Sequence, residues 1–569
     1  MNDNKTRPRG QAWAAALIGV VAGAVALGIG QLVAGLIDPK ASPVIAVGDA
    51  AVDRTPAALK EWAISTFGAN DKLVLISGIV VVLALIAAGI GLLARDRMGF
   101  AMAGLAVLGL VGVLAAMTRP DSGPLSVLPS ALGVAAGAWA LRILARRAWP
   151  AVERGYEDLR AHLEAEDEAR PPAGDDSVPA AADGAASAAE AAPAGGGGAV
   201  DRPVVMRAGA ELYAFDRRGL LTGVVAGVAI AGAGGLAGRG LAGRLDVDTE
   251  RAQVLLPRPA KPATPLPAGV DLRLKDLSPF TTPNRDFYRV DTALVVPQVD
   301  PKTWTLKIHG MVDKPVELTF ADLLKRPLME ADVTLTCVSN DVGGPYIGNA
   351  RWLGARLADV LREAGIQAGA DMLLSTSSDG WTCGTPVDIV MDGRDALLAI
   401  AMNGEVLPVS HGFPVRQVVP GLYGYVSATK WVTDIKVTRY DQDEAYWTPR
   451  GWAAKGPIKT ESRIDLPRGG STIPAGRTAI AGVAWAQHRG IDAVEVRIDK
   501  GAWQRARLAE VPGPDTWRQW VLDGWQATPG RHTIEVRATD ATGQTQTADY
   551  APPAPDGATG WHSVLVVVK

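Results

Sequence analysis

The sequence predicts a multi-domain protein in which apolar transmembrane α-helices come first, an α+β domain follows, and an all-β sandwich closes the chain. Three observations carry this reading. A chain of 569 residues is too long for one hydrophobic core. Its longest apolar runs are confined to the first quarter, although hydrophobic residues make up 48% of the whole. Beyond about residue 270 the pattern changes to short strand-like and helix-like stretches, and after Trp452 to strands alone.

The N-terminal helices follow from length and polarity. A hydrocarbon layer about 30 Å thick needs about 20 apolar residues in a helix. Ala12–Ile37, Leu73–Ala94, Met98–Met117 and Leu125–Ala145 satisfy this, the last with Arg142 near its end. Lys5, Arg7 and Arg9 precede the first span, Arg95 and Arg97 lie between the second and third, and Arg146 and Arg147 follow the fourth. All three clusters fall on one side, and positive flanks favour the cytoplasm. The loops Asp38–Lys72 and Thr118–Pro124 belong on the opposite side. Residues 1–150 are therefore read as a four-span block with both ends cytoplasmic.

Residues 151–212 are rich in Ala, Gly, Pro, Asp and Glu, a composition that buries no core, and are read as a disordered cytoplasmic linker. Within 213–244 the stretch Phe215-Asp216-Arg217-Arg218-Gly219 precedes a Gly/Ala/Val segment. Twin arginines before such a segment suit the export route for prefolded proteins, and they equally suit the positive flank of a fifth span. Either way the chain crosses once, which puts everything after Arg244 outside the cytoplasm. Residues 245–270 are proline-rich and read as a stalk.

The folded region is expected at 271–450, with strands at Trp304–His309, Val333–Val338 and Asp434–Arg439. Short helices are expected at Phe320–Lys325 and Leu357–Ala364, the latter from Leu357, Val360, Leu361 and Ala364 at helical spacing. From 451 to 569 apolar residues alternate with polar ones, as in Val494, Val496 and Ile498, and again in Ile534, Val536 and Ala538. Period two with regular turns suggests an immunoglobulin-like sandwich. Its tryptophans, Trp485, Trp503, Trp517, Trp520, Trp525 and Trp561, read as core.

Composition excludes several functions. A net charge of −3 and a pI near 6.1 give no basic field, so no nucleic-acid partner is expected. Two cysteines, Cys337 and Cys383, make neither a disulfide scaffold nor a zinc or iron–sulfur site. The six histidines lie outside the apolar runs, which leaves those spans without haem ligands of their own. Cys337 ends the alternating run Asp332-Val333-Thr334-Leu335-Thr336, so its thiol leaves a strand beside an amide-rich loop. That placement suits a ligand or nucleophile, while a small core thiol is the commoner reading on composition alone.

Four ordered motifs decide between those readings. Thr334-Leu335-Thr336-Cys337-Val338-Ser339-Asn340, Gly348-Asn349-Ala350-Arg351-Trp352, His411-Gly412-Phe413-Pro414-Val415-Arg416 and Ser427-Ala428-Thr429-Lys430-Trp431 resemble, in order and separation, the signatures of the sulfite oxidase family of molybdopterin enzymes. The resemblance runs from about Ser278 to Lys569. It implies a molybdenum-pterin cofactor whose metal is bound by Cys337, the catalytic cysteine, since a thiolate is a soft, strongly donating ligand. It further implies cofactor contacts from Asn284, Tyr288, Arg289, Ser377, His411, Arg416, Ala428, Thr429 and Lys430, with Arg416 and Lys430 at the pterin phosphate. The sandwich resembles the family's dimerisation domain, which makes a homodimer an expectation. A small sulfur compound as substrate, sulfite first, and a separate electron carrier, a cytochrome or a membrane redox protein, are the implied partners.

Two departures weaken sulfite as the substrate. Asp341 stands where animal and plant sulfite oxidases usually have basic residues, and Cys383 stands near the place of a tyrosine beside the metal. Cys383 reads as that counterpart, as a core thiol, or as a disulfide partner of Cys337. Sulfoxide reduction, the family's reverse chemistry, stays open beside sulfite oxidation. So do a membrane-tethered binding protein without metal and, more weakly, a transporter, since no charge lies at the centre of a span. The expected location is the cell membrane, multi-pass, with the catalytic domain on the extracytoplasmic side.

Overall fold

The computed structural model describes residues 11–56, 59, 62–63, 66–67, 71–119, 122–149, 205–208 and 211–569. The basic cluster Lys5, Arg7 and Arg9 and most of the expected linker lie outside them.

Five described helices are long and apolar enough to cross a membrane. They are α1 (Ala12–Ile37), α3 (Asp71–Asp96), α4 (Met98–Met117), α5 (Leu128–Ala148) and α6 (Arg217–Ala242), with a shorter α2 (Pro43–Arg54) after the first. Their mutual packing uses small residues. A Cβ on Gly19 of α1 would lie 2.0 Å from the Ala87 carbonyl oxygen of α3, and one on Gly28 would lie 2.5 Å from that of Ala231 in α6. Such backbone approach is how helices associate where no water drives them together. Just before α6, Val205–Ala208 (β1) and Glu211–Ala214 (β2) pair antiparallel. Two short strands thus fall at the end of the expected linker, in four-residue runs containing valine, tyrosine and leucine.

The chain divides into two compact units, one of 1–44, 78–114 and 125–241, the other of 45–77, 115–124 and 242–569. The second unit contains two five-stranded sheets built from residues 305–438. In one, Val316–Thr319 (β4), Thr305–Gly310 (β3), Val432–Thr438 (β12), Met372–Ser377 (β7) and Thr382–Pro386 (β8) lie in that order, with β3 and β12 parallel and the other pairs antiparallel. This is the mixed sheet expected. In the other, Leu328–Thr336 (β5) pairs with Ile347–Arg356 (β6), β6 with Leu397–Met402 (β9), and β9 with both Glu405–Val406 (β10) and Arg416–Val418 (β11). The short helices at Phe320–Leu324 and Leu357–Ala364 stand where helical spacing placed them. Trp304, Leu306, Ile308, Leu323, Leu357 and Leu361 are buried in the core of this region.

The C-terminal part has a four-stranded and a five-stranded sheet enclosing Val494, Val496, Trp520, Ile534, Val536 and Val566. The described residues thus form N-terminal apolar helices, an α+β domain and an all-β sandwich. Trp485, Trp517 and Trp520 are buried, whereas Trp503 and Trp561 stack edge to face at 5.0 Å between Arg497 and Arg537.

The proline-rich segment does not behave as a free stalk. Val247 is buried, and Arg251 donates to the carbonyls of Val406 and Leu407 at 2.7 Å. Further on, the amide of Ala260 donates to Leu328 and that of Glu330 to Lys261, which lays the segment along β5. Prolines remove donors but leave carbonyls and the remaining amides able to dock on an edge strand.

Candidate active site

Strand β5 delivers Cys337 to the wall of a cavity of about 740 Å³. The strand ends at Thr336, and the next residues turn sharply: the Cys337 amide donates to Tyr346 at 2.9 Å, while the Asn340 amide donates back to Cys337 at 3.1 Å. Asn340 Oδ1 then accepts from the Tyr346 amide at 2.7 Å, closing the loop. Gly343 takes a φ of +78°, and a Cβ there would collide with the His562 ring at 2.2 Å, so only glycine lets the sandwich pack on this loop.

The strand itself is clamped from the sandwich. Buried Gln487 donates to the Thr334 carbonyl at 3.1 Å and to Thr336 Oγ1 at 3.0 Å. The Trp517 amide donates to Thr334 Oγ1 at 2.8 Å, and the Thr334 amide donates to Asp515 at 3.0 Å. Asn349 lies opposite Thr334 in register and accepts its hydroxyl at 2.9 Å. Arg351 pairs with Asp332 across the same two strands. The Asn349 and Arg351 positions of the second motif therefore brace the sheet.

Tyr288, Arg289, Ser377, His411, Arg416, Ala428 and Lys430 line the same cavity as Cys337. Arg416 is buried without a carboxylate among its hydrogen-bond partners. It donates to the carbonyls of His411 at 3.1 Å and Ala428 at 3.4 Å, lies 4.9 Å above the Trp352 ring, and leaves its Nε without a partner. Burial pushes its pKa down to about 10. Burial, with the Arg416 charge adding to it, takes His411 down to about 4, so its ring is neutral at physiological pH. His411 Nε2 lies 3.0 Å from the Asn284 carbonyl, and the ring meets Phe287 edge to face.

Lys430 donates to Asp291 at 2.7 Å, and Asp291 also accepts from Lys72 at 2.6 Å and Arg289 at 2.8 Å. Burial takes Lys430 down to about 8, against the opposing pull of Asp291. Burial would raise the Asp291 carboxyl, but the surrounding cations outweigh it and hold it far below the usual carboxylate range. Four cations, Lys72, Arg289, Arg416 and Lys430, line the cavity against two carboxylates, Asp291 and Asp379. Burial raises the Cys337 thiol, while hydrogen bonds from Ser339 and the Lys430 charge oppose the rise.

Two expected contacts lie elsewhere. The Asn284 side chain is spent on Met402, Glu405 and Asn403, leaving only its carbonyl beside His411. Thr429 is buried behind the wall, its hydroxyl 2.6 Å from Ser375 and its carbonyl accepting from Gln417. Cys337 and Cys383 are both free, and Cys383 sits off the cavity against Thr385 at 3.7 Å. The aromatic hydroxyls on the wall come from Tyr288, Tyr346 and Tyr425. Asp341 is not a repelling wall residue: it is exposed and its carboxylate caps its own loop at the Val342 amide. Sequence reasoning missed Asp291, Ser339, Tyr346 and Lys72; the one local signal for Asp291 is an acid two residues after Arg289 in an otherwise apolar stretch.

Known proteins resemble this chain over the same region. Residues 293–447 match the family described as the oxidoreductase molybdopterin binding domain. Human mitochondrial sulfite oxidase is 32% identical over 292 residues, covering 43% of this chain and 53% of that protein. An uncharacterized oxidoreductase of Bacillus subtilis, YuiH, is 34% identical over 157 residues, covering 28% of this chain and 76% of that one. The chain belongs to the sulfite oxidase family of molybdopterin oxidoreductases. It spans about half the length of the mitochondrial sulfite oxidases it matches. The crystal structure of the sulfane dehydrogenase SoxCD from Paracoccus pantotrophus aligns at 25% identity and a TM-score of 0.45, covering 51% of this chain and 82% of that chain.

The cofactor of this family is a molybdenum-pterin, and the cavity fits it. An excess of cations suits a phosphate-bearing pterin, and one thiol at the wall offers a single soft donor. Arg416, which lines the cavity, keeps its buried Nε without a partner in the protein. Such an orphan is costly unless a ligand satisfies it.

Proposed function

We propose that this chain is a membrane-anchored molybdenum-pterin oxidoreductase that moves an oxygen atom to or from a small sulfur compound, sulfite oxidation being the first candidate. The observation that carries the reading is the convergence of Cys337, Arg416, His411 and Lys430 on one cavity. When bound, the cofactor supplies oxygen-atom transfer coupled to a two-electron change at the metal. The chain's own residues do the rest. Cys337 is the metal ligand, and Ser339 and Lys430 favour its thiolate. Arg416 and Lys430 take the pterin phosphate, with Arg289 beside them. His411, kept neutral, offers ring nitrogens without adding charge, and Phe287, stacked on Tyr288, excludes water from that side.

The apolar helices anchor the enzyme, and the flanking charges favour an extracytoplasmic catalytic domain. With no histidine in its spans, the protein exchanges electrons with a separate carrier. The sandwich is offered as a dimerisation surface. The full chain, purified in detergent, is expected to contain about one molybdenum per polypeptide by elemental analysis, and Cys337→Ser is expected to contain none. Metal retained by Cys337→Ser would overturn the ligand assignment, and a metal-free wild type would leave the binding-protein reading.

A further inference from the structure

The cavity wall from Tyr288 to Thr292 lies in no helix or strand. No amide from Tyr288 to Val299 donates to a described backbone carbonyl, so side chains must hold this loop in place. Lys430 donates to the Val290 carbonyl at 3.2 Å and to Asp291 Oδ2 at 2.7 Å. Lys72, in the first turn of α3, donates to Asp291 Oδ1 and to the Ala293 carbonyl, both at 2.6 Å. Arg289 Nε adds a bond to Asp291 Oδ2 at 2.8 Å. Two lysines thus straddle residues 290–293 and divide one carboxylate between them.

The two lysines differ in their surroundings. The Lys430 side chain is 11% exposed and that of Asp291 5%, whereas Lys72 keeps 28%. Neutralising Asp291 through Lys72 therefore costs less desolvation than doing so through Lys430. Lys430 faces Asp291, Arg416 and Arg289, lies 4.9 Å over the Trp431 ring, and its charge is felt by the Cys337 thiol and by His411. Asp291 is the carboxylate of that set. What it gives to Lys72 governs how firmly it holds Lys430.

We propose that Lys72 is a positioning residue of the cofactor site: by occupying one oxygen of Asp291 and the Ala293 carbonyl, it weakens the hold of that carboxylate on Lys430 and leaves the Lys430 ammonium able to turn toward an anion in the cavity. The local charge agrees. Lys72, Arg289 and Lys430 against Asp291 leave two positive charges, and without Lys72 one remains. That the anion is the pterin phosphate rests on the molybdenum reading above, whereas the coupling of Lys72 to Lys430 does not.

The test uses the full chain in detergent, produced without molybdopterin, and competitive acetylation of its lysines by acetic anhydride across pH, with the Lys430 peptide followed by mass spectrometry. The midpoint of the profile reports the charge of Lys430, and the plateau at high pH reports its accessibility. In the wild type the midpoint is expected near pH 8. Lys72→Gln is expected to raise it by about one pH unit, because a like charge is lost and Asp291 is left to Lys430, while the plateau stays unchanged. Lys72→Arg, which keeps the charge, is expected to restore the wild-type midpoint. An unmoved midpoint in Lys72→Gln, or one equally displaced in Lys72→Arg, overturns the proposal. So does a midpoint at the ordinary lysine value with a much higher plateau, which would mark a loop come away and Lys72 as a strut. Pterin content of the chain made with molybdopterin present is expected to fall several-fold in Lys72→Gln. A raised midpoint with unchanged pterin content supports the coupling and refutes only the placement of the phosphate at Lys430.

Discussion

The Asp291 carboxylate grips the Lys430 ammonium at 2.7 Å at the cavity wall, and the same carboxylate holds Lys72 and Arg289. One buried acid thus organises three cations, Arg289 from two residues away and Lys72 and Lys430 from distant parts of the sequence. Removing its charge leaves those cations to repel one another. Asp291→Asn is expected to destabilise the chain by about 3–5 kcal/mol near neutral pH, as breaking a buried pair does. The folded carboxyl sits far below its unfolded value, so its contribution is complete above the ordinary carboxylate pKa and fades as pH falls below it. Denaturant unfolding of both proteins in detergent at neutral and strongly acidic pH checks this. A gap between them that fails to narrow in acid would contradict the assignment.

Arg416 gives the opposite expectation for the empty protein. Its guanidinium is buried with carbonyl partners and an aromatic face but an unpaired Nε, an arrangement that costs stability until an anion arrives. Arg416→Met is expected to raise the melting temperature of the metal-free chain, by an amount corresponding to about 1–4 kcal/mol. Its pterin content, measured by fluorescence of the oxidised pterin, should drop sharply. A variant both less stable and fully loaded would show that Arg416 is a structural strut.

Lys430 gives a pH signature. With its pKa taken down to about 8, the ammonium of the empty site is charged below that pH and loses its proton above it. Molybdopterin uptake by the metal-free chain should therefore weaken between pH 7 and 9, by at most about tenfold per pH unit. Lys430→Arg should flatten that dependence, because a guanidinium stays charged throughout. A wild-type profile as flat as the variant's would remove Lys430 from the phosphate site.

Gln487 lies in the sandwich, but its amide holds the strand that leads to Cys337, the proposed metal ligand. Gln487→Leu should cost about 1–3 kcal/mol, because two buried acceptors lose their donor. It should also quicken alkylation of Cys337 by N-ethylmaleimide in the metal-free chain several-fold. Loss of stability with an unchanged alkylation rate would limit Gln487 to a packing role.

Local pattern carried far into this molecule. Uncharged length gave the helices Ala12–Ile37 and Met98–Met117 to the residue, and alternation in 332–336 put Cys337 at a strand exit. What escaped was non-local. Lys72 meets Asp291 across 219 positions and Gln487 meets Thr334 across 153, separations over which no periodicity speaks. Asn284 sits in the expected loop, and its side-chain amide engages Met402 and Asn403, partners more than a hundred positions away that only the fold reveals. Proline content rightly argued against regular structure in 257–267, but it says nothing about docking, which Ala260 and Lys261 accomplish through backbone groups on Leu328.

The clamp on Thr334 sets an order of events during synthesis. The strand bearing Cys337 leaves the ribosome long before Gln487, Asp515 and Trp517 exist, so its last three braces arrive only when translation is nearly done. A chain cut short before residue 487 lacks all of these bonds, so the strand leading to Cys337 is fully braced only in a nearly finished polypeptide.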